Sequence, residues 1–210
     1  MSILQLENVD YAYKGASSKV LDNVSYGFEV GKFYAILGPS GVGKSTMLSL
    51  LAGLDAPTSG TILFDGEDIA KKGYAQHRRN QISLVFQNYN LIDYLTPLEN
   101  LHLVNPKAGV ETLEKLGLDA KEAKRNVLML SGGQQQRVAI GRALVSKAPV
   151  ILADEPTGNL DEQTASGVIE ILQKAAHEEG KCVIVVTHSK ELANGADVTL
   201  RLRRRKLVEK

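Results

Sequence analysis

Residues 38–45 read Gly38-Pro39-Ser40-Gly41-Val42-Gly43-Lys44-Ser45, which is the spacing G-x-x-x-x-G-K-S of a phosphate-binding loop. The short apolar run Phe33–Leu37 comes directly before it and has the composition of a strand that is buried on both faces. Apolar residues then recur at helical spacing over 47–54. The order strand, glycine loop, helix predicts an α/β domain that binds a phosphate group.

In a phosphate-binding loop, the glycines, Lys44 and Ser45 would each contribute to binding a nucleotide. The glycines let the backbone curl so that several N–H groups point at phosphate oxygens, and the helix that follows adds its positive end. Lys44 is expected to reach the β- and γ-phosphates of a nucleotide, and the Ser45 hydroxyl is expected to bind Mg²⁺.

Polar residues also follow three further apolar runs that have the composition of buried strands. Asp154 and Glu155 follow 150–153, Gln87 follows 84–86, and His188 follows the run that ends at Thr187. Because parallel strands gather ligand groups at their carboxyl ends, we expect Asp154 to hold Mg²⁺ through water and Glu155 to polarise the attacking water. The alternative for the acidic pair alone is a helix cap or a solvated surface.

A second helix start has the residues of an anion site. It reads Leu130-Ser131-Gly132-Gly133-Gln134-Gln135-Gln136-Arg137, and apolar residues follow at helical spacing. Since the phosphate loop and its partners already serve one nucleotide, the economical hypothesis is that this helix serves a nucleotide held by another copy of the chain. The alternative is a capped helix without a ligand.

Length and composition narrow the class of protein. The 210 residues are enough for one well-buried domain, which we predict to span 1–210 with a helical insert at about 88–132 and an antiparallel β layer at the N-terminus. A net charge of +1, from 25 basic and 24 acidic residues, gives no reason to propose nucleic-acid binding. The single cysteine, Cys182, lies in an apolar run and is predicted to be a core thiol in a reducing compartment.

No run approaches the roughly 18 apolar residues that a membrane-spanning helix needs, and the first residues lack the blocks of a signal peptide. These features predict a cytoplasmic chain unless a partner holds it at a membrane. The basic tail at 203–210 is predicted to be a solvated end of an edge strand, with contact to lipid headgroups as the alternative.

The full ordered set of motifs resembles that of the ATP-binding cassette (ABC) ATPases. The resemblance rests on the phosphate loop, Gln87, the serine–glycine helix start at 130–134, Asp154-Glu155, Asn159-Leu160-Asp161 and His188, and it covers nearly the whole chain. Residues 154–161 and the short insert are similar to the branch for lipoprotein release, macrolide efflux, cell division and bacitracin-type resistance. The resemblance implies a P-loop NTPase cassette with a RecA-like parallel sheet core.

The resemblance also implies roles for particular positions. Gln87 would sense Mg²⁺ and the membrane partner, Asp161 would couple two sites, and His188 would hold the γ-phosphate and the water. Ser131 and Gly133 would close on the γ-phosphate bound by the other protomer. Tyr13 would stack on adenine, as an aromatic residue at this place does in the family; Tyr11 is a near neighbour, and one residue of slip would exchange the two. The implied ATP-binding residues are Tyr13, Gly38, Pro39, Ser40, Gly41, Val42, Gly43, Lys44, Ser45, Thr46, Ser131, Gly132, Gly133, Gln134 and Asp161.

Taken together, the sequence predicts an ATP-hydrolysing subunit that dimerises around two ATP·Mg²⁺ and drives a separate integral membrane permease, for efflux or mechanical work. It would lie peripherally at the cytoplasmic face of the membrane. Two other classes compete with this one. A small phosphotransferase would need an acceptor pocket and an arginine-bearing lid, and an ATP-gated scaffold would not need Glu155 and His188. The insert around 104–109 looks shorter than in many members of the family, which bears on the shape of the groove for the partner.

Overall fold

The computed structural model describes residues 2–158 and 160–209, and its strands form two sheets. Four strands make an antiparallel sheet in the order β2-β1-β4-β5. Their bounds are β1 Ser2–Tyr11, β2 Leu21–Glu29, β4 Ser59–Phe64 and β5 Glu67–Asp68. Asp65 and Gly66 have φ angles of 49° and 75°, as a tight two-residue hairpin turn requires. The predicted N-terminal antiparallel layer is confirmed.

The second sheet has six strands in the order β10-β9-β3-β8-β7-β6. The strands are β3 Phe33–Leu37, β6 Ile82–Val85, β7 Val150–Asp154, β8 Cys182–Thr187, β9 Val198–Arg203 and β10 Lys206–Glu209. All neighbouring pairs from β9 to β6 are parallel, and only β10 runs antiparallel to its neighbour. The carboxyl ends of β3, β8, β7 and β6 therefore lie along one edge, and the predicted fold class is confirmed.

Helices cover both faces of this sheet, and alternate residues of each strand enter different cores. On β8, Ile184 and Val186 pack with the antiparallel sheet and with α1, which spans Lys44–Leu51. Val183 and Val185 face the other way, toward α7, which spans Glu162–His177, and its buried Val168 and Leu172. Because every β8 side chain is buried on one face or the other, the strand needs the continuous apolar run seen in the sequence.

The remaining helices are α2 Ile69–Lys72, α3 Tyr74–Asn80, α4 Pro97–His102, α5 Val110–Lys115, α6 Gly132–Leu144, α7 Glu162–His177 and α8 Lys190–Asn194. Thr96 caps α4 in a reciprocal arrangement with Glu99, and Pro97 occupies the first turn, where its missing N–H costs nothing. Two 3₁₀ turns follow α5, at Glu122–Lys124 and Val127–Met129. The helices α4, α5 and α6 share a separate apolar cluster, which includes Leu101, Leu113 and Val138.

The basic end of the chain forms the hairpin of β9 and β10 at the edge of the larger sheet. Arg204 and Arg205 make its turn, with φ angles of 49° and 67°. Cys182 is fully buried, in agreement with the predicted core thiol, and this burial raises the pKa of the thiol to about 12. Within 2–158 and 160–209, none of the helices combines the length and the apolar character needed to cross a bilayer.

Candidate nucleotide site

The phosphate loop joins the central strand β3 to α1. Gly41 and Gly43 have φ angles of 74° and 106°, in the left-handed region where a side chain would be strained. Gly43 precedes α1, and no side chain caps the helix there, so its first N–H groups are free to face an anion. The ammonium group of the buried Lys44 donates hydrogen bonds to the carbonyl oxygens of Gly38 at 2.8 Å and Pro39 at 3.2 Å. The lysine therefore bridges its own loop.

A cleft of about 370 Å³ opens beside this loop and collects most of the predicted site residues. It is lined by Tyr13, Val20, Ser40, Gly41, Gly43, Lys44, Ser45, Thr46, Gln87, Asp154, Glu155 and His188. Gly38 and Pro39 line a neighbouring cavity of about 580 Å³, which shares His188 with the cleft. The half-buried Val42 packs beside Gly38, since a Cβ built on that glycine would lie 2.7 Å from Val42 Cγ1. Four strand ends thus meet at one site.

Oxygen atoms suited to a hard cation lie together at the ends of β3 and β7. The Ser45 hydroxyl hydrogen-bonds to the Asp154 carboxylate, and Gln87 lines the same cleft. Burial raises the pKa of Asp154, while the hydrogen bond from Ser45 lowers it. A hydroxyl, a carboxylate and an amide fit Mg²⁺, which takes few protein ligands and completes its shell with water and phosphate. Among the described residues there is no cluster of three His, Cys, Asp or Glu that would form an all-protein metal site.

Glu155 follows Asp154 with a φ angle of 46°, an uncommon conformation for a residue with a side chain. Its Oε1 lies 2.9 Å from Nδ1 of His188 and 3.8 Å from the Lys44 ammonium nitrogen. Its Oε2 accepts hydrogen bonds from the Thr187 hydroxyl at 2.9 Å and from the His188 backbone N–H at 3.2 Å. The carboxylate is therefore held beside the phosphate loop by the end of β8.

The two candidate tyrosines differ in exposure. Tyr11 is 5% exposed and its hydroxyl donates to the Asp55 carboxylate, which together with burial raises the pKa of Tyr11 to about 12. Tyr13 is 53% exposed, lines the cleft, and exchanges a 2.7 Å hydrogen bond with Thr46. Of the two tyrosines, only Tyr13 lines the cleft, and its role in stacking on adenine stays a prediction.

The segment after Gln87 is fastened to α6 by a contact that the sequence does not reveal. Tyr89 and Asn90 have φ angles of 58° and 52°. The Arg142 guanidinium donates to both of their carbonyl oxygens, at 3.2 Å and 2.7 Å respectively, and burial lowers its pKa. An arginine at this helical position is unremarkable in sequence, and no local signal marks it. The sequence analysis also does not identify Thr187, whose hydroxyl contacts Glu155. A hydroxyl residue directly before His188 is a signal that could have identified it.

The second helix start lies outside the cleft. Ser131 caps α6, accepting from Gln134 N–H at 3.3 Å, while Ser131 N–H donates to Gln134 Oε1 at 2.9 Å. A Cβ on Gly133 would lie 2.6 Å from the Thr164 methyl group, so the first turns of α6 and α7 pack closely. Asp161 caps α7 and likewise does not line the cleft, and Asn159 lies outside the described residues.

Comparisons with known proteins agree with this geometry. The family model described as ABC transporter matches residues 21–158. The ABC transporter ATP-binding protein YclH of Bacillus subtilis is 45% identical over 97% of this chain and 95% of its own length. The macrolide export ATP-binding/permease protein MacB of Mannheimia succiniciproducens is 39% identical over all of this chain, which covers 34% of MacB.

Solved structures show the same fold. The dimeric ABC transporter cassette MJ0796, from Methanocaldococcus jannaschii, matches with a TM-score of 0.88 and 38% identity over 99% of this chain and 97% of that one. A second structure of MJ0796, in a dimeric post-hydrolysis state bound to ADP and Pi, also has a TM-score of 0.88 with 37% identity, over 99% and 97% of the two chains.

The phosphate loop follows β3, and the acidic pair lies at the end of β7, two strands away in the sheet. Together with the serine–glycine helix start, these features on a RecA-like sheet define a P-loop ATPase of the cassette type. The chain belongs to the ABC transporter family as an ATP-binding cassette with ATPase activity, and its sequence is similar to that of the macrolide-export branch.

Proposed function

We propose that two copies of this chain enclose two ATP·Mg²⁺ and drive a conformational change in a separate integral membrane permease. The observation that carries the proposal is the division of phosphate-binding groups. The cleft holds the phosphate loop, the acidic pair, Gln87 and His188, whereas the α6 start lies outside it. Ser131, Gly132 and Gly133 thus have no nucleotide in their own chain, and a second copy would supply one.

The α6 start has the donors that such a role needs. The Ser131 oxygen accepts a hydrogen bond from Gln134, so its own hydrogen is free to reach a phosphate oxygen. The first N–H groups of the 13-residue helix have no partner within the helix, and their dipoles favour an anion. Two-fold head-to-tail pairing would place each Ser131 on the γ-phosphate of the other copy, with Asp161 of the neighbouring helix linking the two sites.

Within each composite site the residues divide the chemistry. Lys44 would balance charge on the β- and γ-phosphates, and Tyr13 would stack on adenine with the hydroxyl of Thr46 beside it. Ser45, Asp154 and Gln87 would hold Mg²⁺, which neutralises charge that develops on the phosphates. Glu155 would accept a proton from the attacking water, and His188 would orient the γ-phosphate.

The partner we propose is a permease carried on a different chain, with this cassette held peripherally at the cytoplasmic face of the membrane. Likeness to a protein named for macrolide export supports outward work, either solute efflux or mechanical action on a partner outside the cytoplasm. The Arg142 contact to residues 89 and 90 offers a physical link between the Gln87 segment and α6.

Light scattering would test the shared site. In the presence of ATP and Mg²⁺ we expect the Glu155→Gln protein to shift from monomer to dimer, because it binds ATP without consuming it. Adding Ser131→Arg should abolish the shift, since a bulky cation would replace the hydroxyl at the interface. Asn126→Arg, which adds the same side chain at an exposed cap in the same stretch, is the matched control. A protein that stays monomeric with ATP bound would overturn the shared-site model.

Co-expression would test the membrane partner. Expressed alone, the chain should remain in the soluble fraction with modest ATPase activity. Together with a permease encoded beside its gene, it should move to the membrane fraction, whereas an unrelated permease of similar size should leave it soluble. If it remains soluble with every permease encoded nearby, the proposal of a membrane partner is wrong. That result would leave the ATPase activity unaffected, because the activity follows from membership of the family.

A further inference from the structure

The proposed base, Glu155, owes its position to groups at the end of β8. Three donors from two successive residues contact its carboxylate: the Thr187 hydroxyl, the His188 backbone N–H and the His188 ring. Thr187 is fully buried and does not line the nucleotide cleft, so it cannot touch a substrate there. The His188 side chain, in contrast, is 68% exposed.

The two carboxylate oxygens have different surroundings. Oε2 receives both the Thr187 hydroxyl and the His188 backbone N–H, which fixes it against the strand end. Oε1 faces the His188 ring and the Lys44 ammonium group, on the side of the phosphate loop. A carboxylate without these anchors would rotate about its terminal bonds, because such torsions are broad and weakly restrained. The anchors therefore decide which oxygen faces the phosphate loop.

The direction of the Thr187 hydrogen is also determined. Its oxygen accepts a 3.0 Å hydrogen bond from the Ser189 backbone N–H, so its own hydrogen points to Glu155. The β-branched side chain is stiff about χ1 and lies at the end of a strand that is buried throughout. Glu155 adopts its left-handed backbone conformation opposite this group, with its N–H donating to the Val186 carbonyl at 2.9 Å.

We infer that Thr187 is a positioning residue for hydrolysis: its hydroxyl holds Oε2 of Glu155 so that Oε1 faces the attacking water. This inference rests on the proposed role of Glu155 as the base. It assigns to Thr187 an effect on turnover that acts only through Glu155, with no part in binding ATP.

Thr187→Val tests this by removing the hydroxyl while keeping shape and volume. We expect kcat to fall by about 10–100-fold, since small misplacements of a catalytic group cost up to about 10²-fold. The affinity for a fluorescent ATP analogue should stay unchanged, because Thr187 does not line the cleft. Thr187→Ser keeps the donor and should recover most of the lost turnover, which separates the hydroxyl from the methyl group.

The decisive measurement repeats the substitution in the Glu155→Gln background under single-turnover conditions with radiolabelled ATP. With no base to position, Thr187→Val should lower the residual rate less than twofold. An equal fold-loss in both backgrounds would mean a general structural role, and full kcat in the single variant would mean no role; either overturns the inference. If Thr187→Val does not fold, as judged by thermal unfolding, Thr187→Ala takes its place in the same cycle. Near-normal turnover by Glu155→Gln alone would instead refute the proposed base.

Discussion

Replacement of Glu155 by Gln is expected to lower ATP turnover by about 10²–10⁴-fold, the range that general-base catalysis contributes. The amide keeps the size of the side chain but has no basic oxygen with which to take a proton from water. Since a tenfold rate change corresponds to about 1.4 kcal/mol, the loss amounts to about 3–5 kcal/mol of transition-state stabilisation. Steady-state phosphate release at saturating ATP measures it.

ATP binding should survive this substitution, because the ring-stacking, loop and cation-binding groups are unaltered. Titration with a fluorescent ATP analogue is suitable because the chain has no tryptophan. Glu170→Gln makes the same chemical change on the exposed face of α7 and should turn over ATP normally. Turnover by Glu155→Gln within twofold of wild type would remove Glu155 from the role of base.

Lys44→Ala should stop hydrolysis and weaken ATP binding. A preorganised donor aimed at developing negative charge is worth about 10²–10³-fold in rate, and Lys44 should also stabilise the bound ground state. The structure adds a second consequence, because the ammonium group bridges the carbonyls of Gly38 and Pro39. Its loss removes a restraint on the loop as well as a charge, so binding and chemistry should both suffer.

Two further variants separate the causes. Lys44→Met keeps the buried apolar stem without the charge, and it should be as inactive as the alanine variant if charge is the main contribution. Lys174→Ala removes an exposed lysine of α7 and serves as the matched control. ATP affinity in both Lys44 variants equal to that of wild type would refute the assignment of Lys44 to the phosphates.

Local patterns in the sequence predicted most of the strands, the loop and most cleft residues because those features depend on near neighbours. A short continuous apolar run followed by a polar residue is typical of the end of a buried parallel strand. The predicted strand ends before Gly38, Gln87, Asp154 and His188 all proved to be neighbours along one sheet edge. Most residues that line the cleft, and their meeting at one sheet edge, were therefore predictable, whereas their individual contacts were not.

Tyr11 and Tyr13 show where such patterns stop being informative. They are two residues apart, so the alternation of a strand assigns them to the same face. β1 ends at Tyr11, and pairing with Leu21 together with the bond to Asp55 buries that ring. Tyr13 lies beyond the strand and stays exposed beside Thr46. The difference depends on where the strand ends and on partners distant in sequence.

By itself the sequence determined the fold class, the phosphate loop, the acidic pair and the serine–glycine helix start, because each is written in consecutive residues. Only the tertiary structure decided how they meet. Thr187 and His188 contact Glu155 although they lie 32 and 33 positions after it in the sequence. Arg142 contacts Asn90 and Tyr89, which lie 52 and 53 positions before it. Ser131 lies outside the cleft for the same reason, because its position depends on how distant parts of the chain pack together. Contacts of this kind follow from the strand order β3-β8-β7-β6 and the packing of helices on it, which no local spacing encodes.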